Sequence, residues 1–357
     1  MDEGEMMMDQ PVPLIGFACA YTPLPLIAAA GFTPYRVHPL TEAPDRAGRL
    51  LHDNICPHVK RILDRALGGD LPGLAGMVFM NSCDAMRRLY DAWQTVPGAA
   101  PAILIDLPIT ADELSVHFFA GELERLAGTL KAWGGRQLTP ERIRQGIDEY
   151  NALAGLLKAL AERADNGTLS DGPARLQAAF NRAATAPFAE SAAAIRELLA
   201  APAGGGDPDA VPLYLFGNVL PDPEAFRLFA ACGARVAASD LCSGNRLFQT
   251  LDVGDGEDLL PGLARAVLGQ KPCARTFDPV RPAGIADDIL AEARAAGVRG
   301  AICHTVKFCD PYLARLAAIR RTLQEGGMPF LVLEGDCTLR SIGQQRTRIE
   351  AFVEMLR

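Results

Sequence analysis

Two stretches, LAGMVFMNSCD (residues 74–84) and VRGAICHTVKFCD (residues 298–310), decide the fold of this chain. Each contains a glycine, a short apolar run, a few small or polar residues and then a Cys-Asp pair. The apolar run has the length of a buried strand. Strands of this kind alternate with helical segments along the chain, which predicts an α/β protein whose parallel sheets are covered on both faces.

The sequence around the second stretch repeats the plan of the first. AACGARV mirrors AAAGFTPYRV, and MPFLVLEGD mirrors APAILIDLP. Between the halves lies a helical region that includes LTPERIRQGIDEYNALAGLLKAL, followed by the linker APAGGGDPDA. We therefore predict a disordered leader at 1–12, an α/β domain at 13–110, a helical insert and linker at 111–205, and a second α/β domain with a C-terminal helix at 206–357.

Composition narrows the function classes. The chain has 357 residues and a net charge of −8, which argues against binding to nucleic acid or to an anionic membrane surface. No apolar run reaches the ~18 residues of a membrane span, and the acidic start MDEGEMMMDQPVP is not a signal peptide. We expect a cytoplasmic protein, in which the nine cysteines stay reduced.

Each Cys-Asp pair follows a predicted parallel strand, at the sheet edge where ligands bind in open α/β folds. Four interpretations of such cysteines stay open at this point. The first is a nucleophile, such as Cys309 with His304 nearby in the sequence. The second is a zinc site, although such sites usually have CxxC pairs, which this chain lacks. The third is an iron–sulfur cluster on widely spaced thiolates, and the fourth is ordinary core packing.

Several motifs, in order along the chain, resemble the family of 2-hydroxyacyl-CoA dehydratase D-components and benzoyl-CoA reductase subunits. They are CAYTPLPLIAAAGFTPYRV, ICPHVKRILDRAL, LAGMVFMNSCDAMRRLYDAW, LTPERIRQGIDEYNALAGLLKAL, SDLCSGNR, HTVKFCDPY and LVLEGDCTLRSIGQQRTRIEAFVEML. The resemblance implies two Rossmann-like parallel-sheet domains with helical additions, paired into a homodimer or a heterodimer. It also implies a [4Fe-4S] cluster on Cys56, Cys83 and Cys309.

Some members of the family carry extra cysteines and hold a double-cubane [8Fe-9S] cluster on six thiolates. Cys19, Cys242 and Cys273 lie in loop contexts and are the candidates for the additional ligands. The alternatives are therefore a single cubane and a double cubane, and the second requires all six cysteines to converge on one cleft. The other three cysteines, Cys232, Cys303 and Cys337, are predicted to be core residues.

The resemblance also implies a mechanism. A separate ATP-dependent iron–sulfur activator protein delivers single electrons, and the cluster reduces an acyl-CoA substrate, either a 2-hydroxyacyl-CoA that loses water or an aromatic acyl-CoA. The chain has no GxxxxGK[ST] phosphate loop, as expected if ATP is hydrolysed elsewhere. Two alternatives remain: a double-cubane protein that reduces small molecules, and an electron relay or accessory subunit without its own substrate pocket.

Other polar residues near these motifs receive more modest predictions. Asp84 and Asp310 are expected to cap local backbone. Lys307 and Arg246 are expected to meet a CoA phosphate or to be solvated. His304 is expected to be structural rather than a base.

Overall fold

The computed structural model describes residues 12–40, 45–254, 258–339 and 342–357. All of the leader predicted at 1–12 except its last residue therefore lies outside the described residues. Within those ranges, eight strands form two four-stranded sheets that are parallel throughout. The predicted α/β class with two parallel-sheet domains is confirmed. The first sheet contains β1 (Leu14–Phe17), β2 (Thr33–Arg36), β3 (Leu74–Asn81) and β4 (Ala102–Asp106), and the second contains β5 (Val211–Gly217), β6 (Ala234–Leu241), β7 (Gly300–Val306) and β8 (Phe330–Gly335).

The two sheets have the same strand order, β2-β1-β3-β4 and β6-β5-β7-β8. The internal repeat seen in the sequence is therefore a repeat of topology. In each sheet the chain leaves the two central strands in opposite directions, which creates a crevice beyond their carboxyl ends. Both Cys-Asp pairs follow a central strand, β3 in the first sheet and β7 in the second.

Helices cover both sheets and fill the region between them. The first half contains α1 (Leu24–Ala29), a short 3-10 helix (Ala47–Arg49), α2 (Pro57–Gly68) and α3 (Asp84–Trp93). The middle region contains α4 (Glu113–Ala132), α5 (Pro140–Asp165), α6 (Gly172–Ala183) and α7 (Phe188–Ala200). The second half contains α8 (Pro223–Ala231), α9 (Leu259–Leu268), α10 (Gly284–Ala295), α11 (Asp310–Glu325) and α12 (Ile342–Leu356).

Local signals set where the helices begin and end. Gly31 and Gly69 take positive φ angles of 86° and 70° just past α1 and α2, a conformation that favours glycine. Thr139 caps α5 by accepting a hydrogen bond from the backbone N–H of Arg142, and Pro140 occupies the first turn. Each of these helix boundaries thus lies at a residue type that favours it.

Burial on both faces of the central strands holds the layers together. Along β3, Met77 and Phe79 belong to one hydrophobic core and Val78 and Met80 to another. The middle helices share their core with the first sheet. They also reach the second half, since the Tyr150 hydroxyl donates to the carbonyl of Leu247 at 2.7 Å.

Candidate metal centre

Three of the predicted cysteines occupy the same structural position, the N-cap of a helix. Cys56 precedes α2, Cys83 precedes α3 and Cys309 precedes α11. Each thiol therefore lies beside the backbone N–H groups of a first helical turn, where negative charge is favoured. We call Cys56, Cys83 and Cys309 the helix-cap trio.

The backbone immediately before Cys309 is strained. Phe308 has a φ of 58°, in the left-handed region that non-glycine residues rarely adopt. This conformation turns the chain from the end of β7 into α11, with Cys309 at the N-cap. Strain of this kind is concentrated at functional sites.

The other three candidates lie on loops. Cys19 follows β1 in a tight turn, where its carbonyl accepts from the backbone N–H of Thr22 at 3.2 Å. Cys242 directly follows β6. Cys273 lies beyond α9, and its backbone N–H donates to the Tyr21 hydroxyl at 3.1 Å. We call Cys19, Cys242 and Cys273 the loop trio.

All six of these cysteines line one cavity of about 100 Å³ between the carboxyl edges of the two sheets. None of them is in a disulfide. Cys56 is buried and the other five are half-buried. The convergence that a six-thiolate site requires is therefore present in the fold, while ligation by these thiols stays a prediction.

The electrostatic coupling between thiols follows the division into two trios. Every pair within the helix-cap trio is close enough to interact, and so is every pair within the loop trio. The trios meet at two places, Cys19 with Cys83 and Cys242 with Cys309. The cavity thus has two adjoining sets of three sulfur donors.

Burial controls the protonation of the free thiols. It raises the pKa of Cys56 to about 12 and that of Cys83 to about 11, and it raises the pKa of Cys19 and Cys309 as well. A hydrogen bond from Cys242 to Cys273 raises the pKa of the donor and lowers that of the acceptor. Mostly neutral buried thiols are poor nucleophiles, because the reactive species is the thiolate.

The cavity wall carries a buried cation, Arg36, at the end of β2. Its side chain lies against the cavity and is 1% exposed. Its Nη1 donates to the carbonyl of Cys242 at 2.6 Å and its Nη2 to the carbonyl of Ala18 at 3.4 Å, whereas its Nε has no partner. No carboxylate among the described residues lies within ion-pair distance of Arg36. A buried unpaired guanidinium is costly unless an anion faces it, so the cavity is built to hold negative charge.

A second buried guanidinium, Arg246, contacts the loop trio directly. It is 4% exposed, and its Nη1 donates to Cys242 Sγ at 3.3 Å. Its Nη2 donates to Asp240 Oδ2 and to the Tyr312 hydroxyl, both at 2.7 Å. The prediction that Arg246 meets a CoA phosphate or solvent is therefore wrong, because its charge is committed to a buried network.

Two further polar residues fix the loops that carry the cysteines. Arg275 donates to the carbonyls of Ser82, Leu107 and Pro108, which ties the loop of Cys273 to the loop that precedes Cys83. Asn218 follows β5, and its amide donates to Cys309 Sγ at 3.0 Å while its Oδ1 accepts from the backbone N–H of Val306 at 3.1 Å. Neither residue was identified from the sequence.

The three cysteines predicted to be core residues are buried. Cys232 ends α8, Cys303 lies within β7, and Cys337 packs in the same core as Cys56. His304 is also fully buried, and burial lowers its pKa to about 4, which agrees with a structural role. Asp84 forms an exposed ion pair with Arg88 at 3.5 Å, and Lys307 is exposed.

The geometry separates the chemical alternatives. Among the described residues, no three His, Cys, Asp or Glu side chains are arranged to hold a single metal ion. In the same part of the chain, none of the six thiols is hydrogen-bonded to a histidine ring, as a nucleophile would be to its base. Six sulfur donors around a cavity, with cationic side chains behind them, suit a larger anionic group with thiolate ligands, such as an iron–sulfur cluster.

The rest of the described chain adds one negative finding. No helix in those ranges combines the length and the apolar character that a membrane crossing needs.

Fold and site together define a two-lobed α/β protein with a cysteine-lined cleft between its parallel sheets. The chain belongs to the family of the 2-hydroxyglutaryl-CoA dehydratase D-component, whose model matches residues 19–356. It is 25% identical over 356 residues to the beta subunit of (R)-2-hydroxyglutaryl-CoA dehydratase from Acidaminococcus fermentans, covering 96% of this chain and 92% of that protein. It is 22% identical over 345 residues to the beta subunit of (R)-phenyllactyl-CoA dehydratase from Clostridium sporogenes, covering 96% and 91%.

A relative with a different reaction is a benzoyl-CoA reductase subunit from Thauera aromatica, 20% identical over 327 residues, which cover 89% of this chain and 84% of that protein. The family predicted from the motifs is therefore confirmed. Dehydratase and reductase subunits both occur among the relatives, so family membership alone leaves the reaction open.

Proposed function

We propose that this chain is the iron–sulfur subunit of an ATP-dependent reductase or dehydratase system, and that its cavity holds a double-cubane [8Fe-9S] cluster. The helix-cap trio would hold one cubane and the loop trio the other. The observation that carries this proposal is the convergence of six thiols on one cavity that also contains the unpaired guanidinium of Arg36. A single [4Fe-4S] cluster on the helix-cap trio would leave three further thiols around the same cavity without a role.

When bound, such a cluster supplies electron transfer at low potential, one electron at a time. The protein's residues provide the environment. The first turns of α2, α3 and α11 and the two buried arginines offset the negative charge of the ligands. Tyr21 and Tyr312 close the cavity wall and keep water away from it.

The substrate class follows from the relatives only in part. The names of the relatives include dehydratases of acyl-CoA compounds and a benzoyl-CoA reductase, which supports an acyl-CoA substrate. A second candidate, the reduction of small molecules, is favoured by the size of the cavity, because about 100 Å³ is below the range of roughly 300–1,000 Å³ typical of sites for drug-sized ligands. The small cavity also agrees with the other alternative, an electron-relay subunit without its own substrate pocket.

The partners belong to the same proposal. Relatives are named as beta subunits, which supports pairing with a related subunit or with a second copy of this chain. The sequence has no phosphate-binding loop, which supports delivery of electrons by a separate ATP-hydrolysing activator. The cytoplasmic location stays a prediction.

Iron content in cysteine variants tests the proposal. Cys83→Ala and Cys309→Ala should abolish the helix-cap half, and Cys19→Ala and Cys242→Ala should abolish the loop half. The matched control is Cys303→Ala, since Cys303 is buried in the core and does not line the cavity. If the Cys19→Ala and Cys242→Ala variants keep the iron content of wild type, the loop trio binds no cubane and a single-cubane site is the conclusion. If all four variants keep the iron content of wild type, no cluster is bound at this site.

A further inference from the structure

The charges around the six cysteines are distributed unevenly. Arg36 and Arg246 both interact electrostatically with Cys242, and Arg36 also with Cys19. Arg246 and Arg275 act on the loop trio in the same way. Among the described residues, no guanidinium or ammonium group donates a hydrogen bond to a sulfur of the helix-cap trio, whereas Arg246 donates to Cys242 Sγ in the loop trio.

The environment of the helix-cap trio is different in kind. Its thiols face backbone N–H groups at helix starts, and Cys309 accepts from the neutral amide of Asn218. The carboxyl of Asp310 also acts on Cys309 and raises the pKa of that thiol. The helix-cap half therefore has dipoles around it and one anion, while the loop half has full positive charges.

Carboxylates near the arginines reduce this difference without removing it. Asp240 binds Arg246 and lies 3.3 Å from Lys271 Nζ, and Lys271 in turn pairs with Glu292. The carboxylate of Asp240 binds Arg246 Nη2, whereas Nη1 faces Cys242. Arg36 has no carboxylate partner among the described residues. Arg275 likewise has carbonyl partners and no carboxylate partner among the described residues. Four cations, Arg36, Arg246, Arg275 and Lys271, against Asp240 and Glu292 leave two positive charges in excess at the loop trio.

Resting on the proposed function, we propose that Arg36 and Arg246 make the two halves of the cluster electrically unequal, so that the loop half has the higher reduction potential and accepts the first electron. Net charge and hydrogen bonds around a cluster set its potential, and a fixed cation stabilises the reduced, more negative form. In a bound cluster the first electron would rest on the half held by the loop trio, and the second would go to the half held by the helix-cap trio. Arg36 and Arg246 act through the positive charge that they hold beside the loop trio, and they are not catalytic residues.

Redox titration of the anaerobically purified, iron-loaded protein, followed by EPR, tests this inference. Each step adds one electron from the titrant without a change of ligands. The wild type should show two separated steps. Arg36→Met should shift the higher step to a more negative potential and leave the lower step in place. Arg246→Lys, which keeps the charge, should shift it less than Arg246→Met.

Controls keep the result interpretable. Arg163→Met removes a guanidinium that binds the carbonyls of Leu198, Leu199 and Ala201, away from the cavity, and should leave both steps unchanged. Arg246→Met leaves Asp240 with Lys271 as its ion-pair partner. A variant that also carries Asp240→Asn removes one positive and one negative charge, so its net charge is unchanged and the higher step should shift less than in Arg246→Met alone.

The outcomes are distinct. A shift of the lower step alone, equal shifts of both steps, or loss of all iron from Arg36→Met would overturn the inference. Wild-type protein without iron, or with the iron of one cubane only, would instead overturn the proposed function.

Discussion

Replacing Arg36 with methionine should change the stability of the protein in opposite directions with and without the proposed iron–sulfur group. Arg36 is 1% exposed. In metal-free protein the pKa of five of the six cavity thiols is raised, so little negative charge faces the guanidinium at pH 7. The buried charge is then uncompensated, and the substitution removes it.

The magnitude follows from two opposing effects. A buried charge left without its partner costs about 3–5 kcal/mol. The substitution also removes two hydrogen bonds, to the Cys242 carbonyl at 2.6 Å and to the Ala18 carbonyl at 3.4 Å. The shorter bond, with a charged donor, is worth about 1.5–3 kcal/mol, and the longer one is beyond the usual hydrogen-bond distance and adds little. The metal-free variant should therefore be more stable than metal-free wild type by about 2 kcal/mol.

The assay is urea unfolding of both metal-free proteins under anaerobic, reducing conditions, together with the release of iron from the loaded proteins to a chelator. The loaded variant should release iron faster than wild type, because the negative charge of the cluster loses its buried counter-charge. Arg163→Met is the control and should destabilise both forms, since it loses only carbonyl contacts. If metal-free Arg36→Met is destabilised as much as this control, Arg36 only clamps carbonyls, and the argument for an anionic occupant fails.

Two further predictions concern the scaffold. Burial raises the pKa of Asp165 to about 7, so the folded protein holds a proton that the unfolded chain releases near pH 4, and stability falls as the pH rises from about 4 to about 7. Asp165→Asn should thus raise the melting temperature at pH 8 and have little effect at pH 4. The gain in the free energy of unfolding at pH 8 should be at most about 4 kcal/mol. An equal rise in melting temperature at pH 8 and at pH 4 would contradict the raised pKa of Asp165. Gly217→Ala should cost about 3 kcal/mol or more, because Gly217 has a φ of 138° and a Cβ there would clash with the carbonyl oxygen of His304. Soluble Gly217→Ala protein with a wild-type unfolding midpoint would contradict this packing.

The sequence predicted those parts of the site that depend on local pattern. Cys83 and Cys309 were identified because each follows an apolar run, and the structure places each between a central strand and a helix. The helix ends at Gly31 and Gly69 also have a local sequence signal, because left-handed backbone favours glycine. The six-cysteine candidate set came from loop context and family resemblance together.

The parts that could not be predicted depend on partners far apart in the chain. Arg36 ends a strand and contacts Cys242, 206 residues later, so nothing near it in sequence shows that it is buried. Arg246 was misread because a lone arginine in a polar loop is usually solvated, whereas its partners Asp240 and Tyr312 are brought to it by the sheet and by α11. The strained backbone of Phe308 has no sequence signal at all, since bulky residues rarely adopt a positive φ.

The most direct test of the account is the iron and acid-labile sulfide content of anaerobically purified wild-type protein, measured per chain. The account predicts the content of an [8Fe-9S] cluster, with sulfide in excess of iron. The content of one [4Fe-4S] cluster, with equal iron and sulfide, would show that the loop trio binds no cubane, and the absence of both elements would contradict the account as a whole.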